Sequence, residues 1–338
     1  MGAALLAVLT AAGLVLVLHP SPGRAVRRAA DRVVRWAPGG SGAGGAGRRP
    51  WAWSRVVVVV VLCAVVAAVP LARSALTRWA PPGWRVVQCD VGQGDALVVR
   101  SGEGAAVLVD VGPPGGAADA CLRALGITRI DLLVLTHFHA DHVGGLAGVL
   151  AGRTVAAALV SPLDAPAGQA GEVLAALHDA GVAVSRAGAS GTGSGVAGDV
   201  RWRVLGPPTG ATEPNDASVV LLLEVAGLGV LTLGDAELAA QEALAARLAA
   251  DPAARSAAVV KVAHHGSAVQ SARLAGLLAP AVALVSVGAG NDYGHPAPAT
   301  AELYRDRGAL VLGTDRCGAV AVTVRDGVLD VHARCLGG

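Results

Sequence analysis

The sequence predicts an α+β domain of two helix-covered sheets, starting near residue 84 and preceded by two transmembrane helices. Three observations lead there. Apolar runs fall at about residues 3–18 and 54–72 in a chain that is 53% hydrophobic. Beyond residue 84 the pattern changes to short β-rich runs, Gly-rich turns and a few Ala/Leu helices. The glycines of Asp90-Val91-Gly92-Gln93-Gly94-Asp95 match neither a dinucleotide nor a Walker fingerprint, which argues against a nucleotide-binding α/β fold.

Both apolar runs lie at the short end of the roughly 17–25 residues that cross a bilayer. No basic residue precedes the first, so it makes a poor secretory signal and reads better as a spanning helix; a buried helical hairpin is the alternative. Trp51 and Trp53 before the second run, and Trp79 and Trp84 after it, match interfacial anchors. Between the runs lie Arg24, Arg27, Arg28, Arg32, Arg35, Arg48, Arg49 and Arg55, which place the connecting segment in the cytoplasm and everything after residue 73 outside. Within that segment 38–47 is a flexible Gly-rich linker, and 24–36 is either part of it or a basic surface helix. Residues 1–80 thus form a membrane anchor and 84–338 a separate domain. Before residue 80 there are ten arginines and one acidic residue, Asp31; from there on 17 Lys+Arg face 24 Asp+Glu. The domain therefore lacks the basic footprint of a free-standing nucleic-acid binder.

In the domain, strands are expected at 85–89, 96–100, 106–110, 132–136, 155–160, 200–205, 218–225, 230–233, 257–262 and 281–287, and helices at 117–125, 146–150, 171–180, 236–249 and 271–278. A hairpin of 319–324 and 328–331 turns at Asp326-Gly327 and brings Cys317 and Cys335 nearly opposite. A disulfide and two buried free thiols both fit that pair. The five cysteines include no CxxC, so no thiolate zinc site is implied.

The chemistry is concentrated where the apolar run Leu133-Val134-Leu135 gives way to Thr136-His137-Phe138-His139-Ala140-Asp141-His142 and then Gly144-Gly145. Neutral imidazole and carboxylate are ligands for Zn²⁺ or Mn²⁺. Alternate spacing lets His137 and His139 converge on one ion, while Asp141 and His142, where the chain turns into a helix, face a second.

An HxHxDH run after a strand resembles the metallo-β-lactamase superfamily. The resemblance implies a four-layer αβ/βα sandwich with two divalent metals at one edge and later ligands at the ends of later strands. Asp235, after Leu231-Thr232-Leu233-Gly234, corresponds to the bridging carboxylate, and the run Lys261-Val262-Ala263-His264-His265-Gly266-Ser267 to the final His. We take His264 as that ligand and His265 as a substrate-facing or supporting group. Six runs in one order narrow the match: 88–96, the HxHxDHxGG run, Asn215-Asp216-Ala217-Ser218, the strand ending at Asp235, 261–267, and Asn291-Asp292-Tyr293-Gly294-His295-Pro296. Together they resemble the hydrolase domain of ComEC-type competence proteins, membrane proteins of bacterial DNA uptake, over essentially all of 84–338.

Two departures stand out. The superfamily often supplies a third His to the first metal, yet no His lies between His178 and His264; Asn215, Asp216 or water would complete that site. Only two apolar runs precede the domain, against the many helices of a full channel, which implies a shortened relative, a fragment, or half of a split system with a separate channel subunit. As further implications of the resemblance, Asp141 would also orient a hydroxide bridging the two metals. His265, Ser267, Asn291, Tyr293 and His295 would bind phosphate or protonate a leaving group. Asp90 and Asp110, ending apolar runs, either support ligand histidines by hydrogen bonds or are plain turn residues.

The expected function is hydrolysis of phosphodiester bonds, in single-stranded DNA at the outer face of the membrane. The alternatives are a hydrolase of a small extracellular phosphodiester or ester, and a non-catalytic, membrane-anchored DNA-handling accessory.

Overall fold

Strands apolar at nearly every position indicate sheets buried on both faces, and the computed structural model has two of them. It describes residues 79–188, 193–251 and 255–335, all within the second of two units, Trp79–Gly338. The expected spans at 3–18 and 54–72 and the linker between them lie outside the described residues. Among the described residues no helix is long and apolar enough to cross a membrane.

The first sheet contains β1 (Trp84–Gln88), β2 (Leu97–Gly102), β3 (Ala105–Val109), β4 (Arg129–Leu135), β5 (Thr154–Val155), β6 (Ala157–Val160) and β7 (Ala183–Arg186), with the C-terminal hairpin β15 (Val320–Arg325) and β16 (Val328–His332). Its order is β16-β15-β1-β2-β3-β4-β6-β7, with β5 also paired to β4. The second contains β8 (Ser194–Ala197), β9 (Val200–Gly206), β10 (Val220–Val225), β11 (Leu228–Thr232), β12 (Ala257–Lys261), β13 (Val282–Val285) and β14 (Leu310–Gly313), in the order β14-β13-β12-β11-β10-β9-β8.

Side-chain alternation divides each strand between two cores. Leu97, Val99, Val107, Val109 and Val134 of the first sheet pack with Leu221, Leu223, Val230, Val259 and Leu284 of the second. Val98, Leu108 and Leu133 point the other way, under helices Ala117–Leu125, Leu146–Leu150 and Ala167–Asp179. Leu222, Leu231, Val260 and Ala283 meet helices Leu238–Ala250, Ala272–Leu278 and Pro298–Arg305. The result is the expected helix–sheet–sheet–helix sandwich.

The differences from expectation have local causes. β7 is exposed at every position and β8 is short and glycine-bearing, so neither carries a burial pattern. The helix Pro298–Arg305 follows Pro296 in a proline-rich stretch that reads as loop, although Pro in the first turn is compatible with a helix. Cys317 and Cys335 form a disulfide, and a second joins Cys89, just beyond β1, to Cys121 in the Ala117–Leu125 helix. No hairpin links residues 89 and 121, so nothing local in the sequence pairs them.

Parallel pairing decides where the site lies. β3 runs parallel to β4, and β11, β12 and β13 run parallel to one another. The segments leaving their C-terminal ends carry Asp110, His137, Asp235, His265 and Ser286. The sheets are joined there by the Val219 amide donating to the Thr136 carbonyl at 2.9 Å.

Candidate metal centre

Three ligand-type rings, His137, His142 and His265, are each fixed through Nδ1, which leaves Nε2 to face the centre. His142 is fully buried, and its Nδ1 lies 2.9 Å from Asp110 Oδ2. Asp110 also accepts the Thr136 amide and hydroxyl, both at 2.8 Å. These bonds hold Asp110 in the left-handed region, φ 60°, sparsely populated for a residue with a side chain. Thr136 Oγ1 is 3.2 Å from His137 Nδ1, and Ser218 Oγ is 3.4 Å from the same atom. His265 Nδ1 sits 2.9 Å from the Ser286 carbonyl, which accepts its proton.

The free atoms converge. His142 Nε2 is 3.2 Å from Asp235 Oδ2 and 3.7 Å from Asp141 Oδ2. His265 Nε2 is 3.1 Å from Asp141 Oδ2 and 3.4 Å from Asp235 Oδ2. Asp141, His142, Asp235 and His265 thus each offer a donor atom within 4.8 Å of the others. His137 Nε2 and His139 Nδ1 approach to 3.0 Å beside them, near the ~3.3 Å expected of two nitrogens on one tetrahedral ion at about 2.05 Å.

The donor set fits divalent cations. His142 Nε2 and Asp235 Oδ1 are buried without hydrogen-bond partners, an expense that a metal removes. Burial opposes charge on the His142 ring, but Asp235 and Asp110 outweigh it and raise its pKa well above the ordinary value. His265 is raised well above likewise, against burial, by Asp235 and Asp95. Burial raises Asp235, but His142 and His265 outweigh it and bring it well below the usual carboxylate range. For His137, burial and then the His142 charge lower the pKa well below 6.5, keeping the ring neutral as a ligand requires.

A second group of close donors, Asp95, Asp110 and His142, is already satisfied differently. The buried Lys261 ammonium sits directly against Asp95 Oδ2, 3.2 Å from the Gly234 carbonyl and 3.8 Å from Asp235 Oδ1. Asp95 Oδ1 is 3.4 Å from His265 Nδ1. This is a charge network behind the centre, with Lys261 in the place where a cation would otherwise lie.

Residues 89–287 match the family described as the metallo-beta-lactamase superfamily. The chain belongs to that superfamily. It is also similar to competence protein ComA of Neisseria gonorrhoeae, 29% identical over 292 residues that make up 82% of this chain and 36% of that protein. ComE operon protein 3 of Bacillus subtilis (strain 168) is 27% identical over 256 residues, 68% of this chain and 32% of its own length. The chain therefore spans about a third of the length of these relatives. The solved metallo-beta-lactamase fold protein YhfI from Bacillus subtilis is 10% identical with a TM-score of 0.43, covering 68% of this chain and 95% of that one.

The structure places the other expected site residues as follows. His265, not the favoured His264, joins the four-donor group. His264 turns aside so that its Nδ1 lies 2.7 Å from Glu237 Oε1 and its Nε2 stays 3.8 Å from Asp235 Oδ2. Asn215 and Asp216 both meet Glu237: Asn215 Nδ2 reaches Glu237 Oε1 at 3.4 Å, and Asp216 accepts the Glu237 amide at 3.1 Å, while Asn215 Oδ1 is buried without a partner. Asp90 is exposed and accepts the Gly92 amide within its own turn, so the supporting carboxylate from that loop is Asp95. Ser267 is buried and faces inward, its carbonyl accepting Thr300 Oγ1 and its hydroxyl the Val269 amide. Asp110, by contrast, does meet one of the ligand-type rings, that of His142.

Asp95, Lys261, Glu237, Ser218 and Ser286 were not picked out individually from the sequence. For the first four the signal available was their place inside the six ordered runs or close after Asp235; Ser286 lies in none of them. Gly94 explains one glycine of the first run: a Cβ there would fall onto the Asp141 carbonyl oxygen, and its φ is +141°. That close approach lets the Asp95 amide donate to the same carbonyl at 3.2 Å.

Around the opening, Asn291 closes its loop with bonds to Gly288, Tyr293 and His295, and the His295 ring lies 5.6 Å from that of His264.

Proposed function

We propose that the chain is a metal-dependent phosphodiester hydrolase of a ComEC-like DNA uptake system, acting on single-stranded DNA outside the membrane. The observation that carries the reading is the convergence of Asp141, His142, Asp235 and His265, with His137 and His139 alongside. His137, His139 and Asp235 would hold one cation, and Asp141, His142, His265 and the same Asp235 the other. Bound there, Zn²⁺ or Mn²⁺ would lower the pKa of water and neutralise charge on phosphoryl oxygens.

The residues of the chain do the rest. Asp110, Thr136 and Ser286 fix which nitrogen His142, His137 and His265 present. Asp141, whose side chain is 34% exposed, is the donor best placed to orient an incoming water. His264, steadied by Glu237, and His295 line the approach where an anionic phosphate would lie. The names of the two curated relatives support the link to competence, and the two disulfides favour an oxidising compartment outside the cytoplasm, in keeping with the arginine distribution.

One observation favours a second reading, a small extracellular phosphodiester: the excess of acidic residues after position 80. The test is cleavage of an end-labelled single-stranded DNA oligomer by the full chain with Mn²⁺ or Zn²⁺, beside bis(p-nitrophenyl) phosphate. Cleavage of the oligomer supports the proposal. Activity on the reporter alone selects the small substrate, and activity on neither selects the non-catalytic accessory.

A further inference from the structure

Tyr293 is one of two tyrosines in the chain. The other, Tyr304, is buried, whereas Tyr293 is 72% exposed. An exposed aromatic is unremarkable on a loose loop, but this loop is pinned. The Asn291 side-chain amide donates to the Gly288 carbonyl at 3.0 Å and the His295 carbonyl at 2.6 Å, while its oxygen accepts the Tyr293 and His295 amides, each at 3.1 Å. The Tyr293 ring stacks on His295, centroids 5.9 Å apart and planes 29° apart. His295 lies 5.6 Å from the ring of His264, whose Nε2 is 3.8 Å from Asp235 Oδ2. A short series of rings therefore leads from the metal-facing carboxylate to a solvent-facing aromatic surface held in place before any ligand arrives.

We propose that Tyr293 is a stacking platform for an unpaired nucleobase next to the scissile phosphate, and that it makes the site selective for single-stranded nucleic acid. The inference rests on the hydrolase reading and assigns to one residue the preference for an unpaired strand that the reading supposes. A phenol ring offers a π-face that any base can cover. In a duplex those faces are occupied by neighbouring bases, so only an unpaired strand can use it. The charge of the domain bears on how a strand would be held. With acidic residues in excess after position 80, few phosphate contacts are on offer, so base stacking has to supply much of the affinity and salt should weaken binding only shallowly.

The experiment measures binding of a fluorescein-labelled 12-mer of deoxythymidine to the full chain in EDTA, by anisotropy. The companion probes are the same oligomer with central abasic residues and its duplex with oligodeoxyadenosine. The proteins are wild type, Tyr293→Ala and Tyr293→Trp. Tyr293→Ala should weaken single-strand binding about 5- to 150-fold, and Tyr293→Trp should retain it. The wild type should bind the abasic oligomer and the duplex as weakly as the alanine variant binds the intact strand. Equal binding of the intact strand by Tyr293→Ala and wild type, or equal binding of intact and abasic strands by wild type, overturns the proposal. So does no binding of any probe.

Cleavage assayed separately with Mn²⁺ or Zn²⁺ keeps the two readings apart. Binding lost in Tyr293→Ala in a chain that cleaves nothing leaves the platform standing and removes the hydrolase. Cleavage with unchanged binding does the reverse.

Discussion

Replacing Lys261 by methionine tests the charge network behind the metal centre. Lys261 and Asp95 are 2% and 3% exposed, and the ammonium touches Asp95 while standing 3.8 Å from Asp235 Oδ1. Methionine keeps most of the volume but strands two buried carboxylates. Leaving Asp95 as the unpaired half of a buried ion pair costs roughly 3–5 kcal/mol. For a domain of this size each kcal/mol moves Tm by about 2–4 °C, so the melting temperature should fall by roughly 6–20 °C.

The pH response should change as well. In the wild type, burial raises Asp95, but Lys261 and then His265 outweigh it and hold it below 3.8. Its contribution to stability is therefore present above that value and lost as the pH falls. Without the ammonium the largest lowering influence on Asp95 is gone and those of His265 and His142 remain, so Lys261→Met should lose less stability on acidification than the wild type does. The assay is thermal unfolding of the full chain in EDTA across a pH series, with Asp95→Asn and the double variant completing a cycle. The double variant should recover much of the loss. A single variant within about 1 kcal/mol of wild type, or a double variant no better than the single, refutes the argument.

Further outcomes follow from the same geometry. His265→Ala should lower affinity for the tighter-bound Zn²⁺ by more than 10–100-fold, because it removes a donor rather than a supporting bond, while His264→Ala should leave that ion in place; competition with a chelating dye reads both. In the metal-free chain the raised His142 and His265 hold protons that a cation must displace, so metal affinity should rise with pH, by up to about tenfold per unit for each proton released, a release visible by calorimetry in buffers of different ionisation enthalpy. Metal-free stability has the opposite slope on that side, since the histidine contribution is full below 6.5 and is lost as the pH rises through the raised values. The cysteine pairs close loops of 32 and 18 positions, so replacing each pair by serine should cost about 3.7 and about 3.2 kcal/mol respectively in urea unfolding.

How much of this was legible in the sequence depends on whether the information was local. The helices Ala117–Leu125 and Leu146–Leu150 stand where apolar spacing puts them, and most strands of both sheets lie within a few residues of their expected positions. Such elements are buried on a face that their own residues define. β7, exposed throughout, has no such face, and β14 is half exposed. The HxHxDH run was legible because its donors are close in sequence and follow a strand. The supporting set was not, because Lys261 meets Asp95 across 166 positions and Ser286 meets His265 around a strand junction. Nothing in either segment alone names its partner.

The choice between His264 and His265 shows what local pattern leaves out. In a continuing strand, adjacent residues point to opposite faces, so alternation would assign one of the pair to the site by counting from Lys261. The strand stops at Lys261, however, and the chain enters a tight turn in which His264 and His265 both have left-handed backbone, φ 47° and 50°. Counting faces no longer applies there. Gly266, at φ +75°, continues the turn, and a Cβ on it would press into Pro296 and Val285. The turn is thus wedged against the loop that carries His295 and Tyr293. It sends His265 inward to the Ser286 carbonyl and Asp141, and His264 outward to Glu237. One backbone device therefore sends two identical side chains to different places, His265 into the group of converging donors and His264 toward Glu237.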